Sequence, residues 1–86
     1  MTDSILMEAE NLVNGERAQK YGHPRENWAN TAKIASAITG IELQAEDLVL
    51  IMFAVKLARL AKTPDHRDSM VDLAGYAWVL DKLANG

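Results

Sequence analysis

The sequence has no cysteine, and no apolar run in it approaches the length of a membrane span. Without cysteine, neither disulfides nor thiolate–metal sites can stabilise the fold. Residues 1–4 do not have the pattern of a signal peptide. The sequence also lacks a glycine-rich phosphate loop, an HExxH motif and a Ser/His/Asp set. We therefore expect a cytoplasmic protein with no membrane association and no motif of a common hydrolase.

Composition limits the size of the fold and the class of partner. The 86 residues predict one domain, residues 1–86, and a chain of this length buries only a modest core. Without cysteine, dense helix packing or self-association has to supply the stability, and the apolar content of 49% favours self-association. The formal net charge is −3, from 9 basic and 12 acidic residues, so we expect neither DNA nor RNA as a partner.

The apolar residues recur at helical spacing, and nothing alternates as a strand would. The predicted fold class is therefore all-α, a compact bundle of about four helices with a helix hairpin in its C-terminal half. Gly40 and Pro64 are expected to end the second and third helices. The predicted helices run from a cap at Thr2 or Asp3 to about Val13, from Pro24 to Gly40, from residues 44–46 to Lys62, and from residues 65–67 to the end.

The third helix is apolar on every face from Leu48 to Val55. Three neighbouring helices of a chain this short can hardly cover all of it, so we expect the helix to be shared between subunits of a homo-oligomer. The alternative is a fully internal helix in a compact monomer.

Charged residues cluster at the joint between the third and fourth helices. Lys56 and Arg59 share one helical face, and Asp68, Asp72 and Tyr76 form a row on the next helix. A short turn makes the helices antiparallel, which brings both rows to the same end of a hairpin. The cations either neutralise the two aspartates as a structural feature or bind phosphate.

The aspartates themselves allow other interpretations. Asp65 is predicted to cap the fourth helix by accepting from the backbone N–H of Asp68. Asp68 and Asp72 could instead hold Mg²⁺, which takes one or two carboxylates together with phosphate oxygens. Asp72 lies beyond the first turn, so capping does not explain it.

A second candidate site precedes the second helix. Lys20, Tyr21, His23 and Arg25 surround a glycine at the expected start of that helix, an arrangement that suits a nucleotide cradle. The alternative interpretation is a tight turn anchored by the tyrosine.

Three sequence blocks, taken in order, resemble a small and mostly uncharacterised family of phage and prophage proteins over about residues 14–84. They are the Lys-Tyr-Gly at 20–22 followed by Trp28, the Lys-Leu-Ala-Arg-Leu at 56–60, and the His-Arg-Asp-Ser-Met-Val-Asp-Leu-Ala-Gly-Tyr-Ala at 66–77. That family is in turn distantly similar to the all-α NTP pyrophosphohydrolases, the MazG-like superfamily. The resemblance implies an oligomeric helical bundle in which Mg²⁺ is held by acidic pairs on two successive helices.

Asp68 and Asp72 fall where the second acidic pair of that superfamily would lie, with a spacing of four residues in place of three. Lys56 and Arg59 occupy the positions of the first pair. Cations there would repel a metal ion and still attract phosphate, so the departure favours binding over hydrolysis.

We therefore expect a protein that binds a phosphorylated cyclic or signal nucleotide without hydrolysis and needs no cofactor. Tyr21 would stack on the base, and Asp68 and Asp72 would orient the cations or accept from sugar or base. By analogy with phage biology, the role would be that of an anti-defence sponge in the host cytoplasm. The alternatives are a Mg²⁺-dependent MazG-like pyrophosphohydrolase and a non-enzymatic helical interaction protein. The expected phosphate contacts are Lys20, Arg25, Lys56 and Arg59.

Overall fold

The computed structural model describes residues 4–14 and 24–86, and within these residues it contains four α-helices and no strand. The predicted all-α class is therefore confirmed, while the assignment of residues 1–86 to one domain stays a prediction. The helices are α1 (Ile5–Asn14), α2 (Pro24–Thr39), α3 (Ala45–Lys62) and α4 (Arg67–Asn85).

The N-terminal cap of α1 lies one or two residues later than predicted. The Oγ atom of Ser4 accepts a hydrogen bond from the backbone N–H of Met7 at 3.0 Å. Ser4 therefore caps α1, and the prediction of Thr2 or Asp3 was wrong. All three residue types are good caps, so the sequence did not discriminate between neighbouring candidates.

The turn between α2 and α3 has the residues that its geometry requires. Gly40 has a φ of +74° and donates its N–H to the carbonyl of Ser36, as expected of a glycine that ends a helix in the left-handed region. The backbone N–H of Gln44 donates to Oδ2 of Asp47 at 2.9 Å, which fixes the start of α3.

Helix α4 is capped by a histidine. Nδ1 of His66 accepts from the backbone N–H of Ser69 at 3.2 Å and lies 2.7 Å from its hydroxyl oxygen. The prediction that Asp65 caps this helix was therefore wrong. The ring nitrogen of His66 can accept a hydrogen bond as a carboxylate oxygen does, but histidine is not among the preferred caps.

The core is built from small side chains around α4, which packs against α1, α2 and α3. Ile38, which the sequence pattern assigned to the apolar stripe of α2, is 79% exposed, whereas Ala32 of the same stripe is buried. The buried apolar residues are Ala9, Ala32, Leu48, Val49, Val71 and Val79.

Helix α3 packs against α2 and α4 and is open on its remaining side. Val49 is completely buried, whereas Leu50 and Ile51 are about half exposed at 54% and 49%. In the single chain α3 is therefore not the fully internal helix that the monomer alternative required. Within residues 4–14 and 24–86, no helix combines the length and apolar character needed to cross a membrane.

Candidate functional site

Lys56 and Asp72 form an ion pair across the α3–α4 hairpin. Nζ of Lys56 lies 2.8 Å from Oδ2 of Asp72, and the two side chains are 11% and 29% exposed. The antiparallel hairpin that the sequence predicted brings these residues together. Because the ammonium group of Lys56 neutralises Asp72, the structure agrees with the interpretation of Lys56 as an ion-pairing residue.

Three aromatic rings lie next to the ion pair. The ring of Tyr76, one turn beyond Asp72, meets the ring of Trp28 edge to face, at 6.1 Å between centroids and 83° between planes. Phe53, one turn before Lys56, lies 6.3 Å from the same tyrosine. Tyr76 therefore joins α2, α3 and α4 at one place, and two of the three rings lie one helical turn from the ion pair along the chain.

Arg59 and Asp68 do not join this pair. Both side chains are exposed, and neither side chain makes a hydrogen bond or ion pair with the part of the chain that the structure describes. The predicted group of two cations and two aspartates is thus only half assembled. Arg59 lies on the same helix as Lys56, one turn nearer the α3–α4 joint, and its guanidinium is open to solvent.

Arg25 lies at a different place in the fold. Its guanidinium donates to the carbonyl oxygens of Lys82 and Leu83, at 3.4 and 3.5 Å, near the C-terminal end of α4. A cation suits this end of the helix, where carbonyls lack partners within the helix. Lys82 is ten residues beyond Asp72, or about 15 Å along the helix. The structure therefore does not bring Arg25 together with Lys56, against the sequence prediction of one shared phosphate site.

Arg25 also lines an open cleft of about 620 Å³ between α2 and the start of α3. Lys33 contributes a second cation to its wall, and Glu42 and Glu46 contribute two acids. This mixed charge gives the cleft no clear preference for an anion.

Lys20, Tyr21 and His23, which form the rest of the second predicted site, lie outside the described residues. Their roles stay predictions.

The acidic residues do not assemble a metal site in the described part of the chain. No group of three His, Cys, Asp or Glu side chains lies close enough together there to hold a metal ion. Of the two predicted Mg²⁺ ligands, Asp72 is paired with Lys56 and Asp68 is exposed. A metal ion at Oδ2 of Asp72 would compete with the ammonium group for that oxygen.

Sequence reasoning missed two polar contacts at the start of α4. Arg67 donates to Oε2 of Glu8 at 2.7 Å and so joins α4 to α1. Ser69, which is fully buried, shares its hydrogen bonds with His66. The spacing of His66 and Ser69 is the usual cap spacing and could have indicated the second contact. No local signal pairs Glu8 with Arg67, since 59 residues separate them.

Comparison with known proteins identifies a family, and it also finds relatives that are phage proteins. The family described as "Domain of unknown function (DUF6378)" matches residues 4–84. Two proteins named "Gene 55 protein" are similar, from Mycobacterium phage D29 (42% identical over 83 residues) and Mycobacterium phage L5 (43% identical over 81). The matches cover 96% and 93% of this chain, and 55% and 52% of the relatives. The chain thus spans about half the length of these relatives. No solved structure matches it significantly.

Proposed function

This chain belongs to the DUF6378 family, and we propose that it binds a small phosphorylated nucleotide and sequesters it without hydrolysis. Its relatives in mycobacteriophages support a role during infection. In that setting the nucleotide would be a cyclic or other signal nucleotide of the host defence, and the protein an anti-defence sponge.

The observation that carries this proposal is the ion pair of Lys56 and Asp72 beside the rings of Trp28, Tyr76 and Phe53. Replacing a buried ion pair by apolar residues often leaves a protein equally or more stable. Stability alone therefore does not explain a lysine that is largely buried in so small a core. A charged pair that is partly open to solvent and adjoins aromatic rings offers contacts to both the phosphate and the base of a nucleotide.

Two of the basic side chains of α3, Arg59 and Lys56, would contact the phosphate in different ways. Arg59, exposed and unpaired within the described residues, offers a planar fork to phosphate oxygens. Lys56 would add a point charge whose direction Asp72 fixes. Tyr21 would stack on the base, and Lys20 and His23 would complete the site.

The absence of turnover is proposed from the charge next to Asp72. Metal-assisted hydrolysis needs carboxylates that are available to neutralise the cation and orient water. Asp72 is 2.8 Å from an ammonium group, which competes with a metal ion for the same oxygen. A MazG-like pyrophosphohydrolase, the alternative, would require Mg²⁺ and nucleotide together to displace Lys56.

The test is equilibrium dialysis against a panel of labelled linear and cyclic nucleotides with Mg²⁺ present, followed by chromatography of the recovered label. We expect at least one nucleotide to be retained and recovered intact. Lys56→Met should reduce retention, whereas Lys33→Ala, which removes a cation of the separate cleft, should not. Release of pyrophosphate that is lost in Asp72→Asn would support the hydrolase instead.

A second candidate, an interaction protein without a ligand, is favoured by the apolar side chains that α3 exposes. Failure to retain any nucleotide in the same dialysis would support this role. The candidates thus separate by ligand retention and by the fate of the label.

A further inference from the structure

Helix α3 carries a continuous apolar face that nothing in the described part of the chain covers. Leu50, Ile51, Val55 and Leu57 are between 38% and 55% exposed. At 3.6 residues per turn these side chains lie on one side of the helix, together with the exposed Ala54, Ala58 and Ala61. The opposite side holds Val49 and Lys56, which face α2 and α4.

The face is too apolar to be an ordinary solvated surface. Seven residues at helical spacing form it without one charged side chain among them. Scattered single apolar residues are normal at a surface, but a contiguous patch marks an interaction site. Among the described residues, the buried apolar side chains are one leucine and otherwise valines and alanines, so additional burial would also stabilise the fold.

The charges at the two ends of the face specify its occupant. Glu46 and Asp47 lie in the first turn of α3, and Arg59 and Lys62 lie in the last. A second copy of α3 that runs antiparallel places acids beside bases at both ends, whereas a parallel copy places like charges together. Antiparallel packing also aligns the two helix dipoles favourably.

We propose that the α3 face is the interface of a symmetric homodimer in which two copies of α3 pack antiparallel across a two-fold axis. Such an interface is self-complementary, because the same residues meet on both sides. The two-fold axis passes between Ala54 and Val55, the register that sets Asp47 opposite Lys62 in both directions. The small side chains of Ala54 and Ala58 then allow the helices to approach closely. The inference does not depend on nucleotide binding, because its register rests on Asp47 and Lys62 and leaves Arg59 to the proposed site.

The first test measures solution mass by light scattering at about 100 µM, a concentration at which a dimer of micromolar affinity is populated. The wild-type chain should have twice its 9.5 kDa mass. Ala54→Glu should have the mass of one chain and keep its helical circular dichroism, because Ala54 is already exposed in the protomer. Ala77→Glu, which places the same charge on an exposed alanine of α4, is the matched control and should stay dimeric.

Three outcomes of that test would overturn the proposal. A wild-type mass of 9.5 kDa would leave the face to another protein or to a segment such as those the longer relatives contain. A dimeric Ala54→Glu variant would place the interface elsewhere. A monomeric Ala77→Glu variant would show that any added charge separates the subunits.

The second test uses the absence of cysteine from the chain to establish the direction of packing. The thiols of Ala54→Cys lie next to the two-fold axis and should form a disulfide rapidly under mild oxidation. The thiols of Leu50→Cys should not, since the antiparallel register separates them by about 13 Å along the helices, beyond disulfide range. Equal crosslinking of both variants would indicate parallel packing and overturn the proposal.

The third test measures the charge pairing itself. Asp47→Lys and Lys62→Glu should each weaken the dimer, and the double variant should recover part of the loss. Asp47→Lys also removes the hydrogen bond to Gln44, but this loss is common to the single and the double variant and cancels in the cycle. A loss of dimerisation free energy in the double variant that equals the sum of the two single losses would contradict the register.

Discussion

The ammonium group of Lys56 and the carboxylate of Asp72 lie 2.8 Å apart on facing helices, and the lysine is the more deeply buried partner. Its stem therefore crosses the α3–α4 interface, and its charge ends at an aspartate that water still reaches. This relationship makes the pair a structural element that is partly open to solvent, and in our proposal it is where a charged ligand would exchange with an internal partner.

Replacing Lys56 tests whether its ion pair with Asp72 stabilises the fold. Lys56→Met keeps the apolar stem and leaves Asp72 without its cation, so the free energy of unfolding should fall by about 1–3 kcal/mol. Because Asp72 is 29% exposed, water offsets part of the loss, and we expect less than the penalty for a fully buried pair. Urea denaturation followed by circular dichroism measures the change.

Arg59→Ala is the control for that measurement. An exposed side chain without an ion pair among the described residues should change stability by no more than about 0.5 kcal/mol. Lys56→Asp with Asp72→Lys should recover part of what either single change loses. A loss in Arg59→Ala equal to that in Lys56→Met would contradict the pairing that the structure shows.

The cap of α4 gives a second prediction. His66→Ala removes the acceptor for the backbone N–H of Ser69 and should lower the free energy of unfolding by about 1 kcal/mol. His66→Asn offers a side-chain oxygen at the same place and should retain most of the stability. Both values come from the same denaturation experiment, and equal losses in the two variants would indicate that the ring packs and does not cap.

The three rings of Trp28, Phe53 and Tyr76 give a third prediction. Tyr76→Leu removes the contacts of the ring with Trp28 and Phe53, and should lose about 0.5–1.5 kcal/mol beyond the change in buried area. Tyr76→Phe keeps both contacts and should be close to the wild type, because the hydroxyl makes no hydrogen bond with the described part of the chain. A large loss in Tyr76→Phe would assign the role to the hydroxyl and not to the ring.

Helix limits could be predicted from the sequence wherever a single residue type determines them. Gly40 and Pro64 set the ends of α2 and α3 because their backbone preferences leave few alternatives. The N-terminal caps of α1 and α4 were harder to predict, since Ser4 competes with two equally good neighbours and His66 is an unusual cap.

For the site, the sequence predicted only the end of the hairpin at which its residues lie, and not which of these residues meet. The hairpin requires Lys56, Arg59, Asp68 and Asp72 to lie at one end, but the rotation of α3 against α4 decides which of them meet, and no local pattern contains that rotation. The same limit applies to Arg25, whose contact with the end of α4 joins residues 57 and 58 positions apart.

Ligand affinity gives a fourth prediction. If Arg59 binds phosphate, Arg59→Ala should weaken nucleotide binding by about 1.5–3 kcal/mol, the usual range for a charged hydrogen bond. Affinity should also fall as salt rises, because the contact is ionic and exposed. Titration calorimetry at two salt concentrations measures both, and an unchanged affinity in Arg59→Ala would remove this residue from the site.

The most direct test of the central proposal is mass spectrometry of what the protein retains from a nucleotide extract of infected bacteria. The purified protein is dialysed against the extract with Mg²⁺, washed and denatured, and the released small molecules are identified. We predict an intact phosphorylated nucleotide, retained by the wild type and lost from the Lys56→Met and Arg59→Ala double variant. A wild-type protein that retains no nucleotide, or that releases only hydrolysis products, would contradict the account.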